Sequence, residues 1–117
     1  MLECFPPIIG AKPQVLILGT MPGRVSLEKR QYYAHPRNQF WRLIASVLKR
    51  DLASLEYPRR VEELKRRGVA LWDVFAACRR EGSLDASIVD PEPNDVPKLA
   101  REHGIKAVFC NGGTAWQ

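Results

Sequence analysis

The sequence predicts an α/β domain in which a parallel sheet is sandwiched between helices. Apolar runs of strand length predict the sheet: Val15-Leu16-Ile17-Leu18, Val69-Ala70-Leu71-Trp72 and Ala107-Val108-Phe109-Cys110. Helical stretches stand between these runs, and such alternation is the signature of parallel strands joined by crossovers. Gly68 and Gly104 precede the second and third runs, each ending a helical stretch where the C-cap wants a residue free of a Cβ.

In chain order, Val15–Leu18 is entered from Pro13 and left at Gly19, and its β-branched content suits a strand buried on both faces. In the next helical stretch Phe40, Ile44, Val47 and Leu48 fall at helical spacing with Leu43 beside them, so Gln39–Arg50 reads as an amphipathic helix. Val61–Arg67 is the helical stretch that Gly68 ends, before the second strand. Arg80–Asp90 has weak periodicity and reads as an irregular connection, and Pro91-Glu92-Pro93-Asn94 as a loop into the helix Val96–His103. After the last strand, Asn111-Gly112-Gly113 reads as a turn and Thr114–Gln117 as the first turn of another helix. A single turn is unstable alone because helix nucleation is costly. A sheet of only these strands would also leave an edge exposed. The expectation is therefore one domain over residues 1–117, C-terminally incomplete, with a further strand missing.

The bulk numbers narrow the function classes. The chain has 117 residues, 45% of them hydrophobic, which suits one compact core. No run approaches the roughly 20 apolar residues of a membrane-spanning helix, and Met1–Ala11 lacks the pattern of a signal peptide. A cytoplasmic, nucleoid-associated protein is expected. The formal charge of +5, from 18 Lys and Arg against 13 Asp and Glu, suits an anionic partner without identifying one. Much of it falls in pairs (Arg59-Arg60, Arg66-Arg67, Arg79-Arg80) whose ordinary reading is a solvated helix face. Cys4, Cys78 and Cys110 show no C-x-x-C spacing and read as buried small hydrophobes. His35 and His103 stand apart from them in sequence, so no metal and no cofactor are expected.

Open parallel sheets bind ligands beyond the carboxyl ends of their strands. Those ends here carry the loop Gly19-Thr20-Met21-Pro22-Gly23, the carboxylate Asp73 and the amide Asn111. The segment Tyr32-Tyr33-Ala34-His35-Pro36-Arg37-Asn38 adds aromatics, a histidine, an arginine and a second amide. Stacking surface, phosphate-seeking charge and a hydrogen-bonding amide are what an extruded nucleobase needs. Each residue also has a plainer reading. Asn38 precedes a helix and suits an N-cap, Asp73 suits a cap or an ion pair, and Tyr32 and Tyr33 suit half-buried loop anchors. The glycine-flanked loop lacks both common phosphate-loop patterns.

Taken in order, Leu18-Gly19-Thr20-Met21-Pro22-Gly23, Tyr33-Ala34-His35-Pro36-Arg37-Asn38-Gln39-Phe40-Trp41 and Gly68-Val69-Ala70-Leu71-Trp72-Asp73-Val74 resemble the uracil-DNA glycosylase superfamily. The resemblance is strongest to its hypoxanthine-DNA glycosylase branch and runs from about Pro13 to Trp116. It implies a three-layer α/β/α fold with a short parallel sheet and a monofunctional hydrolase that cuts N-glycosyl bonds in DNA. It also implies that Asn38 positions the attacking water. Mismatch-type relatives carry a catalytic Asn where Met21 stands here, and the hypoxanthine branch shares that departure. Gly19, Thr20, Met21, Tyr33, Asp73 and Asn111 are the expected base-binding residues, with Tyr33 stacking on the base. Arg24, Lys29, Arg30 and Arg37 are the expected phosphate contacts. Asp73 can only accept a hydrogen bond as a carboxylate, so it suits the N1–H of hypoxanthine and disfavours adenine, though uracil also offers an N–H. DNA carrying a deaminated base is the expected partner of a protein that is monomeric at full length. A binding module without chemistry, a flavodoxin-like cofactor domain and a preference for uracil stay open at this point.

Overall fold

The computed structural model describes residues 2–80 and 88–111. The three apolar runs form one parallel sheet of β2 (Val15–Gly19), β3 (Val69–Asp73) and β6 (Ala107–Cys110), in the order β3-β2-β6. The register pairs Val15 with Val69 and Ala107, and it brings Gly19 level with Asp73. The most apolar strand, β2, is thus central and covered on both faces, with Leu16 and Leu18 buried on one and Val15 and Ile17 half-buried on the other. The outer edge of β3 is covered at one point by Ile8, which exchanges backbone hydrogen bonds of 2.9 Å with Leu71 in each direction.

Side-chain alternation along β2 divides the core between two layers. Leu16 and Leu18 pack with Ala70 against α4 (Val96–His103), through Val96 and Leu99. Val15 and Ile17 point the other way, toward α2 (Phe40–Leu48) and α3 (Tyr57–Arg66), where Phe40, Trp41, Ile44, Leu64 and Leu71 form the larger cluster. The result is helices on both faces of a short parallel sheet, the layering expected from the alternation of elements.

The helix ends follow local chemistry. Gly68 and Gly104 both adopt left-handed backbone, φ 77° and 66°, next to the helices they end. Asp95 caps α4 by accepting from the Lys98 N–H at 3.1 Å. α3 starts at Tyr57, earlier than the apolar pattern suggests, because Pro58 is pre-set for a first helical turn and needs no hydrogen-bond partner for its nitrogen. A short α1 (Arg24–Lys29) also forms, entered at Gly23 and left through a left-handed Arg30.

The largest departure from expectation is a second, antiparallel sheet of β1 (Leu2–Glu3), β4 (Phe75–Arg79) and β5 (Val89–Pro93), in the order β1-β4-β5. The end of the expected irregular connection, Val89 and Asp90, and the first three residues of the expected loop, Pro91 to Pro93, instead form β5, although every one is exposed. The strand has no hydrophobic alternation to reveal it; pairing with β4, through two register shifts, is what makes it a strand. Residues 81–87 of the expected connection, and the expected turn and helical start over 112–117, lie outside the described residues. No helix among the described residues is long and apolar enough to cross a membrane.

Candidate active site

The carboxyl ends of β2 and β3 open onto a cavity of about 450 Å³, within the range of about 300 to 1,000 Å³ usual for small-molecule sites. Each residue that lines it can be traced to a local cause. The Gly19–Gly23 loop is held by backbone bonds, since Val74 donates to the Gly19 carbonyl at 2.8 Å and Phe75 to that of Thr20 at 3.1 Å. The Arg80 guanidinium donates to the Pro22 carbonyl from the end of β4, fixing the far side of the same loop. Asn111 is set at the end of β6 by its own N–H, which donates to the Leu18 carbonyl at 2.7 Å.

Asp73 ends β3 inside the cavity wall and is only 3% exposed. Its carbonyl accepts from the Asn94 amide at 2.7 Å, and the backbone just beyond it is paired to Gly19. Gly19 faces the carboxylate so closely that a Cβ there would stand 2.5 Å from Asp73 Oδ1 and 3.1 Å from the Tyr33 hydroxyl. The absent side chain is therefore what lets a carboxylate and a phenol meet at this wall. Thr20, 5% exposed, presents a buried hydroxyl that has no hydrogen-bond partner among the described residues.

Tyr32 organises the segment that forms the opposite wall. Its N–H donates to the Tyr57 hydroxyl (3.0 Å), its hydroxyl to the Pro6 carbonyl (3.1 Å), and its carbonyl accepts from Trp41 Nε1 (3.1 Å). The Ala34 N–H donates to Ser26 Oγ at 3.0 Å, so Tyr33 is clamped on both sides. Tyr33 takes up the remaining bend with φ 53°, a left-handed conformation that costs a non-glycine residue about 1–2 kcal/mol. Its ring lies on Phe40 with centroids 4.0 Å apart and planes inclined by 25°. One face of the ring expected to stack on a base is thus already covered by Phe40, which itself lines the cavity. Burial pushes the Tyr33 phenol well above its ordinary range. The neighbouring Asn111 side chain works against that rise without making a well-formed hydrogen bond, and Asp73 adds to the rise.

Asn38 stands exposed at the cavity mouth. Its Oδ1 accepts from the Phe40 N–H at 2.8 Å, so the side chain does satisfy the start of α2, the plainer role the sequence allowed. That bond uses the oxygen and leaves the amide nitrogen with no bond among the described residues, so capping and a role in the cavity are compatible. His35, also at the mouth, accepts the Arg37 N–H on Nδ1 at 3.0 Å, which in the neutral ring places the proton on Nε2.

The cavity brings together Gly19, Thr20, Met21, Tyr33, Asn38, Asp73, Asn111 and Arg24, all singled out from the sequence. Lys29 lies instead on an adjoining cavity of about 290 Å³, and Arg30 and Arg37 are exposed and line neither. Sequence reasoning missed Ser26, Phe40 and Leu43 as wall residues. Phe40 was legible only as a core position of its helix, and it is both. Among the described residues, no group of His, Cys, Asp and Glu is placed to hold a metal ion.

Known proteins resemble this chain in sequence and in fold. The family model described as the uracil DNA glycosylase superfamily matches residues 6–117. A protein named hypoxanthine DNA glycosylase from Methanosarcina barkeri is 48% identical over 109 residues, 92% of this chain and 69% of the relative. A second of that name from Methanosarcina acetivorans is 41% identical over 102 residues, 81% of this chain and 65% of the relative. A solution NMR structure from Methanosarcina acetivorans, described as a candidate uracil DNA glycosylase, superposes with a TM-score of 0.85 at 37% identity. It covers 97% of this chain and 71% of its own. By sequence and by fold, the chain belongs to the uracil DNA glycosylase superfamily.

Proposed function

We propose that this chain is a monofunctional DNA glycosylase that hydrolyses the N-glycosidic bond of deoxyinosine and releases hypoxanthine. The observation that carries the reading is the strand-end cavity in which a buried Asp73, a buried Thr20 hydroxyl and the Asn38 amide share one wall-and-mouth arrangement. The relatives named hypoxanthine DNA glycosylase support the choice of base.

The target nucleotide leaves the duplex and its base enters the cavity, at lower cost for a poorly paired deaminated base than for a sound one. Asp73 accepts the N1–H of hypoxanthine, where adenine would present only a ring-nitrogen lone pair. The same carboxylate opposes negative charge on the departing purine, so donors must act on another edge; the buried Thr20 hydroxyl, without a partner among the described residues, supplies one. The open face of the Tyr33–Phe40 stack supports the base, with Gly19, Met21 and Asn111 closing around it. Asn38 orients a water at C1′. The bond from C1′ to the purine nitrogen breaks, its electron pair leaves with the base, and the base takes up a proton. The water oxygen bonds to C1′ and loses a proton to solvent, leaving an abasic sugar. Asn38 is no general base; it contributes position and a dipole beside the oxocarbenium-like centre. Arg24, Lys29, Arg30 and Arg37 meet phosphates of the cytoplasmic, nucleoid-associated DNA.

The test is base release from labelled duplexes carrying hypoxanthine, uracil or xanthine, read as strand cleavage after hot alkali. The expected result is preferential cleavage at hypoxanthine. Preferential cleavage at uracil would refute the choice of base, and duplex binding without release of any base would refute the reaction.

A further inference from the structure

The second cavity, of about 290 Å³, adjoins the first and shares Tyr33, His35 and Asn38 with it. Its cations are Lys29, Arg42 and Arg60, and no Asp or Glu lines it. Among the described residues none of the three cations forms an ion pair, whereas Arg50, Arg66 and Arg67 converge on Glu63 of α3. Three arginines thus share one carboxylate on that surface, whereas the cations of the cavity have none among the described residues.

Arg60 is also held in place. Its Nε donates to the Leu55 carbonyl and its Nη2 to the Ala53 carbonyl, both at 2.9 Å, and its guanidinium lies 5.4 Å from the centre of the Trp41 ring. Carbonyls and a ring face orient a guanidinium without cancelling its charge, so its field persists in the concavity. Solvated surface arginines do not pay the ordering entropy of such a fixed orientation.

Resting on the glycosylase reading, we propose that this cavity is a phosphodiester-binding site. It receives one backbone phosphate of the strand that bears the target nucleotide, while the base occupies the first cavity. The shared wall of Tyr33, His35 and Asn38 places sugar and base on one side and the neighbouring phosphate on the other. Lys29, Arg42 and Arg60 then fix the register of the strand, so the susceptible C1′ comes to Asn38. The contact is to phosphate and carries no sequence preference of its own.

The experiment measures equilibrium binding to a duplex carrying 2′-fluoro-2′-deoxyinosine, whose glycosidic bond resists hydrolysis, as salt is varied. Neutral methylphosphonates replace single phosphates flanking the analogue in a parallel series. In the parent, one methylphosphonate position should weaken binding well beyond the others. In K29A/R42A that position should lose its effect, and the slope of log K against log salt should fall by about one. Arg60 is left intact because it also ties down the loop before α3, and thermal melting checks that the double variant is folded. Equal sensitivity to the methylphosphonate in parent and variant would overturn the proposal. So would saturable competition by inorganic phosphate beyond its ionic-strength effect, which would mark a site for free phosphate. Failure of the glycosylase reading shows separately, as a parent that binds the analogue with this salt dependence but releases no base from ordinary deoxyinosine.

Discussion

Gly19→Ala tests the tightest contact of the cavity. The added Cβ would stand 2.5 Å from Asp73 Oδ1 and 3.1 Å from the Tyr33 hydroxyl, distances at which something has to shift. Neither strand can yield cheaply. The Gly19 carbonyl is bonded to Val74, Gly19 is in register with Asp73, and the Asp73 carbonyl is bonded to Asn94. Backbone conformation is no obstacle, since Gly19 is not among the residues with positive φ, so the penalty is overlap alone. Overpacking of this kind costs about 2 kcal/mol, which lowers the melting temperature by roughly 6–12 °C in a domain of this size. A displaced Asp73 carboxylate should also lower the rate of base release. A double-mutant cycle with Asp73→Ala isolates the contact: once the carboxylate is gone, most of the Gly19→Ala penalty should vanish. The assay is thermal unfolding of the parent, both single variants and the double variant, with base release measured in parallel. Additive penalties, or a Gly19→Ala protein that melts with the parent, would refute the steric account of this wall.

Other outcomes follow from the same geometry. Asn38→Ala should lose most of the rate and also about 1 kcal/mol of stability, because the Phe40 N–H loses its acceptor. Asn38→Asp keeps an acceptor there, so a variant that melts like the parent yet is slow separates catalysis from capping, and parental rates in both variants would dismiss Asn38 as the water-positioning residue. Asp73→Asn should lower release of hypoxanthine roughly 10- to 100-fold, the value of one charge-assisted hydrogen bond; single-turnover rates unchanged from the parent would dismiss Asp73 as the reader of N1–H. All three tyrosines, Tyr32, Tyr33 and Tyr57, have phenols raised above their ordinary range, chiefly by burial. A raised folded value means that stability is full below the unfolded value, about pH 10, and is lost as pH climbs toward the folded one. Tyrosinate absorbance should therefore stay flat in the native protein and rise in one step with alkaline unfolding; a gradual rise near pH 10 without unfolding would contradict it.

Much of the fold is legible from local chemistry. Unbroken apolar runs marked β2, β3 and β6, and Gly68 and Gly104 marked helix ends because left-handed backbone there favours a residue without a Cβ. The limits of α4 agree with its pattern from Val96 to His103, since Asp95 and Gly104 bound it chemically. β4 and β5 were not legible. Val89–Pro93 is exposed throughout, contains two prolines and gains its extended form from backbone pairing, which leaves no periodicity in the side chains.

The site divides along the same line. Residue types at the ends of apolar runs mark Gly19, Asp73 and Asn111, because a parallel sheet sends its strand ends to one edge whatever the details of packing. Only the tertiary structure decided that Tyr33 bends into left-handed backbone and lies on Phe40, since that follows from clamps on Tyr32 and Ala34 made by Tyr57, Trp41, Pro6 and Ser26. It likewise decided which cations gather beside the cavity. Arg42 and Arg60 come from different helices and meet Lys29 from a third; Lys29 was already an expected phosphate contact, but the sequence showed the two arginines only as part of a dispersed positive charge. Hydrophobic periodicity and caps act over a few residues and can be read locally, whereas the facing of one wall by another depends on contacts between segments far apart in the chain.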